Sequence, residues 1–583
     1  MKILLAAVNA KYIHSNLAVH TLAACAREKM PPDVGLEVAG YTINEPVNRI
    51  FADICRRRPD MIAFSCYIWN MPIIRMLIRD LKKVMPDVHF WVGGPEVSFD
   101  PEEELRQLPE LTGVMVGEGE KIFTELVCSR GVLRNVEGIV YRDEVGQILR
   151  NPGPAEPVDI DSIPFFYRDE SAADWAHHII YYESSRGCPF RCSYCLSAGE
   201  KKVRLRSLSL VLPELQFFLD ARVPQVKFVD RTFNCDHERT LKIWTYLRDH
   251  DNGITNFHFE IEAELLTDEE IRLLNSLRPG QVQLEIGVQS TNGQTLEAVH
   301  RRQNFFHLSE IVRKIAAGRN VHQHLDLIAG LPLEGLESFH RSFNDVYSLK
   351  PHQLQLGFLK VLKGSDMEKR AADYGIRCQS HPPYEVLVTD FLSCDEVLHL
   401  HDVCDAVDLY YNSLQYSVTI GHLTEDFGDA FHTFEALAAF EKEENAGQEA
   451  PGDSLAGRKM SRTDRISLLR RFAAANFPEK LPFYEETLLL DLYLRENSRK
   501  RPAWAGESEL QKQVMKKWMA ESRENDKRMA HVEIFIHDVL QSGDEVPYAV
   551  LFTYDHRDPL TGNALTKVIN HRRLRMVAGW KYL

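Results

Sequence analysis

Short runs of β-branched and aromatic residues alternate with amphipathic stretches over the first 130 residues. Runs at residues 3–8, 36–41, 61–67, 89–92 and 114–116 have strand length, and residues 16–30 and 72–85 carry apolar positions at helical spacing. Strands alternating with helices in this way predict a doubly wound parallel sheet of the α/β class, whose ligand crevice lies beyond the strand C-termini. Residues 136–149 read as a hairpin, and Asn151-Pro-Gly-Pro with Pro157 and Pro164 reads as a linker. From His178 the alternation restarts, with strand-like runs at 179–183, 226–229, 257–261, 282–286, 324–328 and 354–359. That rhythm predicts a full or partial (β/α) barrel of the TIM type. Beyond residue 362 it gives way to long helical stretches at 395–411, 430–442, 462–475 and 510–527, then two strand-like runs at 532–536 and 548–554. The expected division is a doubly wound domain at 1–135, a hairpin and linker at 136–177, a barrel at 178–362 and a mostly helical domain at 363–583.

Composition adds constraints. With 44% hydrophobic and 26% charged residues the chain has a globular balance. No apolar run reaches the roughly 18 residues of a membrane span. The opening MKILLAAV runs straight into Asn9 and Lys11, so neither membrane insertion nor export is expected and the cytoplasm is the expected location. A formal charge of -15, from 69 basic and 84 acidic residues, has the wrong sign for coating nucleic acid. Eleven cysteines without an export signal suggest thiols that serve metals or cores.

Their spacing selects the chemistry. Cys188-Pro-Phe-Arg-Cys192-Ser-Tyr-Cys195 places three thiols on one short loop after the first barrel strand. Three thiolates can hold three irons of a cubic iron–sulfur cluster and leave the fourth iron open. Zinc would want a fourth Cys or His at matching spacing, and none stands nearby. The loop resembles that of the radical S-adenosylmethionine superfamily, which has an aromatic before the third cysteine, here Tyr194. The resemblance implies a 4Fe-4S cluster on Cys188, Cys192 and Cys195 that binds S-adenosylmethionine and cleaves it reductively to a 5'-deoxyadenosyl radical. An electron donor such as flavodoxin or ferredoxin is implied as a partner. Val229-Asp-Arg-Thr-Phe233 resembles the element near the methionyl amine, which suggests Asp230; the plainer reading is a carboxylate capping the next helix. Leu284-Glu-Ile-Gly-Val-Gln-Ser290 is similar to the fourth-strand segment, where Glu285 and Gln289 would bond ribose hydroxyls. Asp326-Leu-Ile-Ala-Gly-Leu-Pro332 resembles the element beside the adenine, which suggests Asp326.

A doubly wound domain ahead of such a barrel resembles the cobalamin-binding subgroup. Ser65 and Tyr67 follow the third strand, Gly93 and Gly94 the fourth, and Gly117 and Glu118 the fifth, all at the crevice where a corrin's nucleotide tail would thread. The Asp-x-His-x-x-Gly motif that supplies a lower axial histidine is missing: the loop reads Asn9-Ala-Lys-Tyr-Ile-His-Ser-Asn16. No protein nitrogen below cobalt is therefore expected, although His14 lies on the right loop. The C-terminal 220 residues resemble the helical extension of one branch of these enzymes. The subgroup implies methylation of an unactivated carbon from methylcobalamin, with oxidation, cyclisation or rearrangement as the first alternative. An RNA-modifying methylthiotransferase would need a second cysteine cluster, whereas Cys25, Cys55, Cys66 and Cys128 are scattered. A non-catalytic cluster-bearing regulator is the remaining alternative, and the substrate is not readable.

Overall fold

The computed structural model describes residues 1–153, 156–169, 178–199, 202–444, 460–498, 501–506, 529–539 and 545–569, together with scattered positions between 511 and 520. The first sheet contains β1 (Lys2–Asn9), β2 (Gly35–Thr42), β3 (Met61–Ser65), β4 (His89–Gly93), β5 (Gly113–Met115), β6 (Ile139–Arg142) and β7 (Ile148–Arg150), in the order β2-β1-β3-β4-β5-β6-β7. Strands β1 to β5 are parallel. The uniformly apolar runs of β1 and β3 are buried on both faces because helices cover each side. The strand order reverses between β1 and β3, which opens a crevice beyond their C-terminal ends. The 136–149 hairpin does not belong to a connector. It forms β6 and β7, which extend the first sheet antiparallel to β5.

The second sheet takes β8 (Ile180–Tyr182), β11 (Gln225–Phe228), β12 (Asn256–Ile261), β13 (Val282–Gln289), β14 (His322–Ala329) and β15 (Gln353–Phe358), all parallel and in chain order. It is a partial barrel, open between β8 and β15. The intervening β9 (Ser185–Arg186) and β10 (Arg204–Leu205) pair with each other beside the cysteine loop. Of the sequence-predicted barrel runs, each overlaps one of the six strands.

The C-terminal helices Cys394–Ala406, Ser417–Phe427, Ala430–Glu444, Arg462–Asn476 and Leu481–Arg495 share one continuous apolar core with the barrel. Phe343 and Tyr347 of the barrel meet Phe431 and Phe434 edge to face or nearly so. Further strands β16 (Arg377–Cys378) and β17 (Val386–Val388) form a small hairpin. A three-stranded antiparallel sheet, β18 (Ala530–His537), β19 (Glu545–Arg557) and β20 (Ala564–Ile569), includes one strand more than the sequence pattern predicts. Most of the 510–527 stretch lies outside the described residues. Among the described residues no helix is long and apolar enough to cross a membrane.

Candidate functional site

On the barrel side, the chain leaves β8 and turns through Ser184 and Ser185 into the cysteine loop. Asp230, beyond β11 and 1% exposed, accepts the Ser184 N–H at 2.8 Å and the hydroxyls of Ser184 and Ser185 at 2.6 and 2.8 Å. Its oxygens are engaged in fixing the loop's entry. The helix His237–Asp249 is capped by Asp236 instead. Asp230 is thus not that helix's cap: it positions the loop.

Inside the loop, the Ser193 N–H reaches the Val299 carbonyl at 3.0 Å, and the Met367 N–H reaches the Ser193 carbonyl at 2.8 Å. Cys188 Sγ lies 3.4 Å from the Thr232 hydroxyl, and burial pushes its thiol pKa up. Arg301 Nη1 approaches Cys192 Sγ at 3.8 Å while Nη2 pairs with Glu262 at 2.8 Å. Three thiols on one pinned loop, with a guanidinium beside one of them, suit the anionic thiolate ligation of an iron–sulfur cluster. Tyr194 packs against the apolar group containing Val299, Leu331 and Leu359 beneath the loop. Burial and the neighbouring Cys192 sulfur raise its phenol pKa well above the ordinary value.

The remaining barrel candidates fall at the ends and middles of β13 and β14. Gln289 takes a left-handed φ of 70° at a break in register between β13 and β14. Its amide folds over Gly287, where a Cβ would meet Nε2 at 2.3 Å, so the residue at 287 has to be glycine for Gln289 to hold this place. Glu285 and Asp326 meet inside the barrel with three residues that the sequence reading missed, Lys227, His258 and His324. Lys227 Nζ and His258 Nε2 each lie 2.9 Å from Glu285 Oε2. Burial opposes ionisation of Glu285, but the His258 contact and the Lys227 ammonium prevail and hold its carboxyl far below the usual range.

On the other side, the crevice is shaped by missing side chains. The Cys66 N–H bonds the Gly93 carbonyl at 2.7 Å, and Gly94 follows at φ 114°, where a Cβ would lie 2.5 Å from the Cys66 carbonyl oxygen. Asn70, also missed by the sequence reading, donates to the carbonyls of Val8 and Ser65 at 3.0 and 2.9 Å and accepts the Tyr67 N–H at 2.8 Å, tying the ends of β1 and β3 together. The result is a crevice of about 130 Å³ bounded by Ser65, Gly93, Gly94 and Gly117 and, from the helix Leu17–Arg27, by Ala18 and Val19. Glu118 does not line it. Its carboxylate pairs with Arg204 and Arg186 and accepts the Val158 N–H, a clasp between the first domain and the barrel.

The crevice adjoins a cavity of about 620 Å³ between the two domains: Ala18, Tyr67 and Glu120 border both. The first domain contributes Tyr67 stacked on Trp69, with ring centroids 4.3 Å apart, and the barrel contributes Tyr181, Glu183, Arg186 and Arg231. His14 lies at this boundary, with Nδ1 2.5 Å from the Tyr181 hydroxyl.

Comparison with known proteins matches residues 3–127 to a B12 binding domain, residues 182–346 to the radical SAM superfamily and residues 372–552 to a protein family of unknown function, DUF4080. A 2-(S-pantetheinyl)-carbapenam-3-carboxylate methyltransferase of Streptantibioticus cattleyicolor is 26% identical over 58% of this chain and 53% of its own length. The cobalamin-dependent radical SAM methyltransferase TokK of Streptomyces tokunonensis is 23% identical over 55% of this chain. The match spans about half of either relative, 53% and 50%. The structure of the radical S-adenosylmethionine methyltransferase TsrM from Kitasatospora setae, with cobalamin and a [4Fe-4S] cluster bound, shares the fold. It superposes with a TM-score of 0.57 at 15% identity, over 84% of this chain and 99% of that one.

Proposed function

We propose that this chain, which joins a B12-binding domain to a radical SAM domain, methylates an unactivated carbon of its substrate within the interdomain cavity. The observation that carries this reading is that the glycine-walled crevice and a cavity whose barrel wall adjoins the cysteine loop lie side by side, with Ala18, Tyr67 and Glu120 bordering both. Cys188, Cys192 and Cys195 would hold a 4Fe-4S cluster, Gln289 would face the ribose of S-adenosylmethionine, and the crevice after Ser65 and Gly93 would take the tail of cobalamin. When bound, these groups supply an adenosyl radical able to remove hydrogen from carbon, and a transferable methyl group. The chain's own residues position and enclose them. Asp230 and Arg301 hold the cysteine loop in shape, the Tyr67–Trp69 stack offers a flat wall, and the charged groups of Glu183, Arg186 and Arg231 give the opposite wall its polarity. Bringing two reactants and one substrate into one enclosed volume provides the proximity term of the rate. The missing Asp-x-His-x-x-Gly motif favours cobalamin held without a histidine ligand; His14 Nδ1 meets the Tyr181 hydroxyl at the cavity boundary. A flavodoxin- or ferredoxin-type donor in the cytoplasm would complete the system.

The test is anaerobic turnover with the small-molecule extract of a deletion strain as the source of substrate. Recovery of both 5'-deoxyadenosine and S-adenosylhomocysteine, with a mass increase of one methylene in one metabolite, is expected. Deoxyadenosine without S-adenosylhomocysteine would transfer the reading to oxidation, cyclisation or rearrangement.

A further inference from the structure

The polar group inside the barrel is not explained by either cofactor. Neighbouring strands place Glu260, Glu285 and His324 in one cross-strand row, with His258 two residues before Glu260 and Asp326 two residues after His324. One ligand atom each from Glu285, His324 and Asp326 lies within 4.8 Å of the others. His258 Nε2 is 2.9 Å from Glu285 Oε2, and His324 Nε2 is 3.0 Å from Asp326 Oδ1. Yet His258 Nε2, His324 Nε2 and Asp326 Oδ1 are sealed from solvent without an aligned hydrogen bond, and the two imidazoles are only 8% and 6% exposed. Close approach without alignment leaves lone pairs of these atoms available to a shared ion. Ligand atoms roughly 2.1 Å from one metal lie about 3.0 Å apart at octahedral and about 3.4 Å apart at tetrahedral angles, so these contacts are at the short end of that range.

We propose that His258, Glu285, His324 and Asp326 form a binding site for a divalent first-row cation. Two imidazole nitrogens and two carboxylates suit zinc and its neighbours better than calcium or magnesium. This assigns Glu285 and Asp326 to a cation in place of the ribose and adenine that the sequence reading gave them. The Lys227 ammonium, 2.9 Å from Glu285 Oε2, is the counter-ion present in this structure, and an incoming cation has to displace it. The ion would tie β12, β13 and β14 together inside the barrel, away from the three cysteines.

The experiment uses the full chain carrying its iron–sulfur cluster, prepared anaerobically and titrated with zinc. One zinc per chain is expected, with a zinc K-edge spectrum that fits nitrogen and oxygen neighbours and no sulfur. His324→Ala should abolish that zinc, and Lys227→Met should tighten it by roughly tenfold or more, because a competing positive charge is gone. His258→Gln provides a second variant should His324→Ala fail to fold. The proposal is overturned if neither the parent chain nor Lys227→Met binds zinc, if the bound zinc has sulfur neighbours, or if it persists unchanged in His324→Ala and His258→Gln.

Discussion

The barrel and the crevice of the first domain are held in shape by largely opposite means. The barrel is held at its strand ends by buried polar side chains: Asp230 with Ser184 and Ser185, Arg301 between Cys192 and Glu262, and Glu334 accepting from Ser290 and Ser342 at 2.7 and 2.9 Å. The crevice of the first domain rests on the absence of side chains at Gly93, Gly94 and Gly117 and on backbone bonds between strand ends, with the Asn70 amide also tying the ends of β1 and β3 together. A wall built on side chains tolerates loss of one group by degrees, except where the group is a ligand. One built on backbone conformation fails as soon as a Cβ is added in the wrong place.

The difference can be broken most completely at a ligand. Cys192→Ala should remove the cluster and all cleavage of S-adenosylmethionine, which iron and sulfide analysis would show directly. A full cluster in that variant would mean that its ligands lie elsewhere.

Next in size is the crevice. A side chain at Gly93 first meets Met115 Cε at 3.3 Å, which can move, so Gly93→Val should abolish corrin binding while cluster content stays at the parent level. Unchanged corrin affinity would dissociate the crevice from cobalamin. Gly94 is the poorer choice for this experiment: at φ 114° with the Cys66 carbonyl 2.5 Å from an added Cβ, its substitution would unseat the loop itself.

A smaller effect tests the side-chain wall. Burial pushes the carboxyl of Glu334 up to about 7 from its ordinary 4.5, against the pull of its serine donors. Below pH 4.5 both folded and unfolded chains keep that proton. Between 4.5 and 7 the unfolded chain loses it first, so stability falls as pH rises, by about 3 kcal/mol in total, and is level above 7. Urea unfolding of Glu334→Gln at pH 5 and pH 7.5 should lack that decline; an identical decline in the variant would assign it to another group. The smallest effect is expected for Gly117→Ala. At φ 94° with nothing within 4 Å of the added carbon, the change strains only the backbone, about 1 kcal/mol. A loss of several kcal/mol in thermal unfolding would show that the turn is built on contacts after all.

The same contrast explains what could be read before the structure. The parallel strands were legible because residues 3–8 and 61–64 are apolar without interruption, and the cysteines because their spacing has few other meanings. The 136–149 hairpin looked like part of a connector because a local pattern does not say which sheet edge it joins. Asp230 and Glu118 were misread for a related reason. Each is a carboxylate at a strand end, and only the fold shows that its partners are Ser184 and Ser185 in one case and Arg186 and Arg204 in the other. His258, Glu260, His322, His324 and Asp326 did leave a signal, polar residues at every second position of otherwise apolar strands. It takes the register of β12, β13 and β14 to turn them into a single group.

Arg186 answers to three carboxylates at once, Glu183 on its own strand segment and Glu118 and Glu120 of the first domain, and it stands two residues before Cys188. The loop that would carry iron and the domain that would carry cobalt thus share a lever. Any factor by which a loaded cluster changes corrin affinity must be returned as the factor by which bound corrin changes cluster affinity. Corrin titration of cluster-loaded and cluster-free protein would measure that factor. In the Glu120→Gln chain, which loses one of the first domain's two ion pairs to Arg186, that factor should shrink toward one.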